Sequence, residues 1–190
     1  MTELKRETKE TNISCRVDIQ GTGSSKIDTG IGFFDHMLEA LSKHSGIDIE
    51  LNCKGDLHID AHHSVEDCGI VLGKALKEEI FPIKNVERYG NATVVMDEAA
   101  TTCALDLSNR PFLVYEVNIS GKVGEFDVEL AEEFFNALVM NSGVTCHIIN
   151  DRGRNKHHIL EASFKAFAVA LRRALVENTK LGVPSTKGVL

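Results

Sequence analysis

His62-His63-Ser64-Val65-Glu66 returns further along the chain as His157-His158-Ile159-Leu160-Glu161, and each word opens a segment with apolar residues at three- and four-residue spacing. The landmarks around the two words repeat as well. Glu10, Cys15 and Asp18 are echoed by Glu98, Cys103 and Asp106, and His36-Met37-Leu38-Glu39-Ala40-Leu41 by Glu133-Phe134-Phe135-Asn136-Ala137-Leu138. Ser45-Gly46-Ile47 returns as Ser142-Gly143-Val144, and Leu72-Gly73-Lys74-Ala75-Leu76 as Phe167-Ala168-Val169-Ala170-Leu171. Strand, helix, strand, histidine word, helix therefore runs twice.

Periodicity fills in the elements. Segments 12–20, 47–53, 92–98, 101–107, 112–119 and 144–150 alternate or run apolar with β-branched residues and read as strands. Segments 32–44, 64–80, 128–141 and 157–177 read as helices, with turns at 21–25 and 109–111. The expectation is an α+β fold built by internal duplication. Two similar halves, 1–85 and 86–190, each a small sheet with two helices on one face, make a single domain spanning 1–190. One such layer alone leaves apolar surface bare, so the halves should pack through their helices, with 81–90 as a short connector.

Composition bounds the function. With 190 residues, 43% of them hydrophobic, the chain can bury a real core. A net charge of −7 without any long Lys/Arg run argues against a nucleic-acid surface. No apolar stretch approaches a membrane span, and the charged run Met1 to Glu10 has no signal-peptide core, which points to the cytoplasm. Cys15, Cys53, Cys68, Cys103 and Cys146 are odd in number and scattered, which reads as reduced, mostly buried thiols.

The words themselves carry metal chemistry. Residues three and four apart share a helix face, so His62 or His63 can converge with Glu66 on one ion, and His157 or His158 with Glu161. Imidazole plus carboxylate without thiolate suits a first-row divalent metal and leans away from a structural zinc knot. A solvated helix start with surface histidines is the plain alternative for one copy; repetition in register argues against it.

Longer blocks add a resemblance. Gly32-Phe33-Phe34-Asp35-His36-Met37-Leu38, Gly55-Asp56-Leu57-His58-Ile59-Asp60-Ala61-His62-His63-Ser64-Val65-Glu66-Asp67, Arg88-Tyr89-Gly90, Met96-Asp97-Glu98-Ala99 and Pro184-Ser185-Thr186-Lys187-Gly188 resemble the imidazoleglycerol-phosphate dehydratase family, from about Arg6 to Leu190. The likeness is to the monofunctional form, without the phosphatase domain some members carry. It implies the ribosomal protein S5 domain 2-like fold and loss of water from D-erythro-imidazole glycerol phosphate, giving imidazole acetol phosphate for L-histidine biosynthesis. Because no carbonyl flanks the C–H bond to be broken, the family's route uses metals on the ring nitrogens to stabilise an imidazolate that expels hydroxide.

Carried over by position, the resemblance makes His36, His62, His63, Glu66, Glu133, His157, His158 and Glu161 ligands of two manganese ions per active site. Glu133 is the departure, since many members have histidine at that position, and a solvated helix residue is its alternative. Turnover would then depend on His62 and Glu161. Glu10 matches the family's substrate-side glutamate and is the first candidate for proton transfer, with Glu98 second. His44, Arg88, Arg110, Lys165, Ser185 and Lys187 match the substrate phosphate positions; without the family, each reads as a turn, surface or tail residue. His58 and His147 read as structural histidines. The resemblance also implies a cubic homo-oligomer of roughly 24 subunits with sites between subunits, acting on a small phosphate ester, with no nucleic acid and no membrane as partner. A ferritin-like store would show Glu-x-x-His words on four long helices, and a di-metal phosphohydrolase would release phosphate from the same ester.

Overall fold

In Thr11–Asp18 every second residue is apolar or small, so Ile13, Cys15 and Val17 are buried while Asn12, Ser14 and Arg16 face outward. That alternation gives a sheet with one dry face and one wet face. The computed structural model describes residues 1–188 and 190. The first half runs β1 (Thr2–Glu7), β2 (Thr11–Asp18), β3 (Ser25–Asp28), α1 (Gly32–Ser45), β4 (Asp48–Gly55) and α2 (His62–Ile80). The second runs β5 (Tyr89–Met96), β6 (Ala99–Asp106) and β7 (Phe112–Glu116). A small hairpin of β8 (Lys122–Val123) and β9 (Phe126–Asp127) follows, then α3 (Leu130–Ser142), β10 (Thr145–Arg152) and α4 (Lys156–Ala174).

The two sheets have the same plan. Their orders are β1-β2-β4-β3 and β5-β6-β10-β7, and in each the first two pairings are antiparallel and the last is parallel. The α+β architecture with two sheet-plus-helix halves is therefore present as expected. Strands β1 and β3 were not expected, nor was the β8–β9 hairpin. In β1 Leu4 is the one apolar residue on the inward side, between charged neighbours, and β3 is four residues long, so neither carries a hydrophobic period to read. Charge on β1 suits its place at the sheet edge.

The echoed Ser-Gly pairs are helix stops. Gly46 and Gly143 both adopt the left-handed conformation, φ 77° and 76°, and return their N–H groups to Ser42 and Val139 carbonyls. Helices from the two halves then pack crosswise, α2 on α3 and α1 on α4. Phe34 of α1 meets Phe134 of α3 at 5.2 Å between ring centroids, and Phe164 of α4 meets Phe134 and Phe135 at 5.4 and 4.7 Å. These fully buried rings close the seam between the halves. All five cysteines are free and buried, and among the described residues no helix is long and apolar enough to cross a membrane.

Gly69 and Gly73 let α2 approach α3 closely. A Cβ at Gly69 would lie 2.8 Å from the Phe134 carbonyl oxygen, and one at Gly73 2.5 Å from that of Leu138. Glycine to alanine in a helix interior ordinarily gains about 1 kcal/mol of propensity. Here overpacking should outweigh it, so Gly69→Ala with Gly73→Ala is expected to lose about 1–3 kcal/mol in urea unfolding. A rise in the midpoint would show that the helices have room to spare.

Candidate active site

The start of α4 is set by Asn155, whose side-chain oxygen accepts the His157 and His158 amides at 2.9 and 3.4 Å. His157 and Glu161 then share one face, and the crossing of α1 on α4 brings His36 of the other half to meet them. His157 Nε2 lies 3.0 Å from Glu161 Oε2, and His36 Nε2 lies 3.4 Å from the same oxygen. One ligand atom from each residue falls within 4.8 Å of the others, a group that could hold a metal ion. Two ligands bonded at about 2.1 Å and separated by 90–110° sit about 3.0–3.4 Å apart, so the two nitrogen-to-oxygen spacings, and the imidazole–carboxylate chemistry, suit a first-row divalent cation. Phe33 packs its edge against the His157 ring at 5.2 Å. Lys165 occupies the other carboxylate oxygen of Glu161, at 2.5 Å. Burial pushes the Glu161 carboxyl up, but the Lys165 and His157 contacts outweigh it and hold it below its usual range.

The second histidine of each word is held from behind. Asp56 Oδ2 accepts from His63 Nδ1 at 3.0 Å, and Glu98 Oε2 accepts from His158 Nδ1 at 2.8 Å. A carboxylate on Nδ1 fixes the tautomer and leaves the Nε2 lone pair free for an ion. Hydrogen bonds to Asp56 and Glu98 raise the pKa of the two imidazoles above its ordinary value. Glu98 is fully committed: its Oε1 also accepts the Arg154 and Asn155 amides at 3.0 and 2.8 Å. The His158 bond, followed by these amides, draws its carboxyl down to about 2. Both Glu98 carboxylate oxygens are thus engaged in hydrogen bonds. Glu10 sits 3.9 Å from His63 Nε2 and is half-exposed.

The repeat is not closed symmetrically. His62 Nε2 lies 3.6 Å from Glu66 Oε2, but Glu133 on α3, the counterpart of His36, makes no ion pair within 4 Å among the described residues. His147 and His58 are exposed and not packed in the core. For His147 the alternation of β10 decides this, because Cys146 and Ile148 take the inward places.

The phosphate candidates separate into two groups. Arg88, Arg110, Ser185 and Lys187 line one groove of about 1180 Å³, with Ser108 and Pro184. Arg88 is buried there at φ 70°, a conformation costing a non-glycine residue about 1–3 kcal/mol. Its guanidinium donates to both Asp106 oxygens at 2.7 and 3.1 Å and to the Pro184 carbonyl at 2.7 Å, and lies over Tyr89. Arg88 therefore ties the tail to the sheet, while Arg110 is exposed toward the groove. Lys165 sits instead on Glu161, and burial, then Lys165 and Arg172, lower the pKa of His44 beside them. The Arg88 amide bonds the Ala174 carbonyl, and from His158 to Ala174 along α4 is about 24 Å at 1.5 Å per residue. Strand β6, with Glu98 before its start and Asp106 at its end, gives about the same length.

Comparison with known proteins now decides the family. The family model described as imidazoleglycerol-phosphate dehydratase matches residues 29–171. The chain belongs to the imidazoleglycerol-phosphate dehydratase family. Imidazoleglycerol-phosphate dehydratase of Aliarcobacter butzleri (strain RM4018) is 79% identical over 190 residues, covering all of both chains, and that of Campylobacter fetus subsp. fetus (strain 82-40) is 65% identical over the same span. The crystal structure of the dehydratase from Staphylococcus aureus subsp. aureus N315 matches with TM-score 0.83 at 41% identity, covering 94% of this chain and 100% of that one. The Pyrococcus furiosus enzyme, solved in complex with (S)-C348, matches with TM-score 0.85 at 39% identity, covering 98% and 100%. Membership makes the chain a hydro-lyase.

Within this dehydratase fold, sequence reading passed over Asp56, Asp106 and Phe33. Asp56 stands inside the quoted Gly55–Asp67 block and Asp106 inside the repeat, but a partner across the fold leaves no local signal. Removing one member of a buried, hydrogen-bonded charge pair costs about 3–5 kcal/mol. Arg88→Ala should therefore destabilise the protein and speed amide exchange across 183–187, and Arg88→Lys should not restore protection because lysine lacks the planar fork. Unchanged exchange in that segment would remove Arg88 from its anchoring role.

Proposed function

We propose that the protein is a metal-dependent dehydratase that converts D-erythro-imidazole glycerol phosphate to imidazole acetol phosphate in histidine biosynthesis, acting in the cytoplasm as one domain of two repeats, 1–85 and 86–190. The observation that carries the metal reading is the His36, His157 and Glu161 group, with 3.0 and 3.4 Å nitrogen-to-oxygen spacing, assembled from both halves. His62, His63, Glu66 and His158 are the further ligands, Glu133 is a candidate eighth, and manganese is the ion the family implies. Two divalent ions held by these residues would supply Lewis acidity for negative charge developing on a substrate imidazole.

The chain's own residues do the rest. Asp56 and Glu98 hold His63 and His158 in one tautomer. Arg110, Ser185 and Lys187 offer charge and hydrogen bonds to a phosphate dianion, on a tail that Arg88 fixes. Glu10, with its carboxylate free of hydrogen bonds among the described residues, takes the proton from the carbon next to the one that loses hydroxide. A five-membered ring with a three-carbon phosphate tail is far shorter than the roughly 24 Å between His158 and the Arg88 groove. That length supports active sites shared between subunits of a homo-oligomer, with a cubic shell of roughly 24 copies as the family implies.

Manganese-loaded protein incubated with imidazole glycerol phosphate should produce the ketone, and His36→Ala or Glu161→Gln should abolish it. Release of inorganic phosphate without ketone would identify a phosphohydrolase instead. Ions that bind only the assembled state stabilise it, so stripping metal with a chelator should delay elution on size-exclusion chromatography. An unchanged elution volume for fully stripped protein would rule out bridging metals. Glu98→Ala should weaken manganese binding about 10- to 100-fold in competition with a chelator; wild-type affinity would leave the Glu98–His158 bond without a function.

A further inference from the structure

Glu10 and Glu98 occupy equivalent places, each the residue just before the second strand of its sheet, β2 and β6. Their carboxylates are used differently. Glu98 spends both oxygens on His158 and the Arg154 and Asn155 amides, and those bonds also hold its loop against α4. The Glu10 loop is held by other atoms. Its amide donates to Thr8 Oγ1 at 3.1 Å, and its carbonyl accepts the Asp56 amide at 3.1 Å.

Behind the loop lies a network around the buried Asp67 that, among the described residues, has no counterpart in the second half. Asp67, one residue beyond the proposed ligand Glu66 and 7% exposed, accepts Arg6 Nε and NH2 at 3.1 and 3.0 Å on Oδ1. Its Oδ2 accepts the Thr11 hydroxyl. Arg6 is the penultimate residue of β1, Thr11 begins β2, and Asp67 is on α2, so the network clamps the two strands that flank Glu10 onto the helix bearing the first histidine word. The equivalent residues of the second half are Val94, Ala99 and Ala162, which have no polar side chain. One half holds its glutamate by the carboxylate; the other holds the loop and leaves the carboxylate unspent.

The geometry points to Asp67, Arg6 and Thr11 as positioning residues that hold the Glu10 loop against the histidine word so that the Glu10 carboxylate stays free to accept a substrate proton. The inference rests on the reading of Glu10 as the group that moves the proton, and the two can be tested apart. Combined replacement Arg6→Val, Thr11→Ala and Asp67→Ala installs the side chains that the second half already accommodates. Misplacement of a reacting group by about 1 Å costs up to about a hundredfold. The triple variant should therefore lose about 10- to 100-fold in kcat with imidazole glycerol phosphate, while KM and manganese content per subunit stay within about twofold of the parent. Amide exchange at 8–11 should speed up without a matching change across α2.

A double-mutant cycle separates positioning from general damage. In a Glu10→Gln background the triple replacement should cause almost no further loss. An equal loss in both backgrounds, or full kcat in the triple variant alone, overturns the inference. If Glu10→Gln itself turns over normally, the proton-transfer assignment fails and the inference falls with it, a result distinct from either of the others. Should the triple variant fold poorly, Asp67→Asn, which keeps the shape and removes the charge, is measured in the same cycle with its thermal midpoint as the check on folding.

Discussion

The crosswise contact of helices from opposite halves is the constraint on which the rest depends. Each four-stranded sheet has one apolar face and two helices to cover it, and the helices themselves keep a second apolar side. Gly69 and Gly73 bring α2 against the backbone of α3, and the phenylalanines of α1, α3 and α4 fill the seam. Because α1 crosses onto α4, His36 leaves the word of its own half and meets His157 and Glu161 of the other. The group that could hold a metal ion is therefore a product of inter-half packing and not of either repeat.

Duplication supplied two equal frames, and side chains then made them unequal. Both frames keep the same strand order and the same glycine-ended first helix. Around the histidine words the polar residues diverge: Asp56 supports His63 where Glu98 supports His158, and Asp67 is buried where the second half has Ala162. A buried carboxylate is tolerated only when its charge and lone pairs are met, and Arg6 and Thr11 do that for Asp67.

Much of this was legible in the chain. The paired Ser-Gly stops, the strand alternation and the helix faces are local signals, and the structure has all of them within a few residues of the expected places. Strands β1 and β3 were hidden because their partners, and not their own hydrophobicity, make them strands. The reach of His36 across the seam, the turn of His147 to the outer face and the burial of Arg88 behind Asp106 depend on tertiary packing that spacing does not encode. Arg88 matches a phosphate position of the family, and three of its N–H groups are used within the protein.

The roughly 24 Å of α4 between His158 and Ala174 has a genetic reading. A protomer damaged at the histidine words still carries an intact Arg110 groove, and one damaged in the groove still carries intact histidine words. Where a site draws one end from each of two subunits, two inactive alleles of different class restore a fraction of wild-type sites when expressed together, while two alleles of the same class restore none. In a homo-oligomer with sites shared in that way, the length of one helix would sort mutations of this chain into two complementation groups.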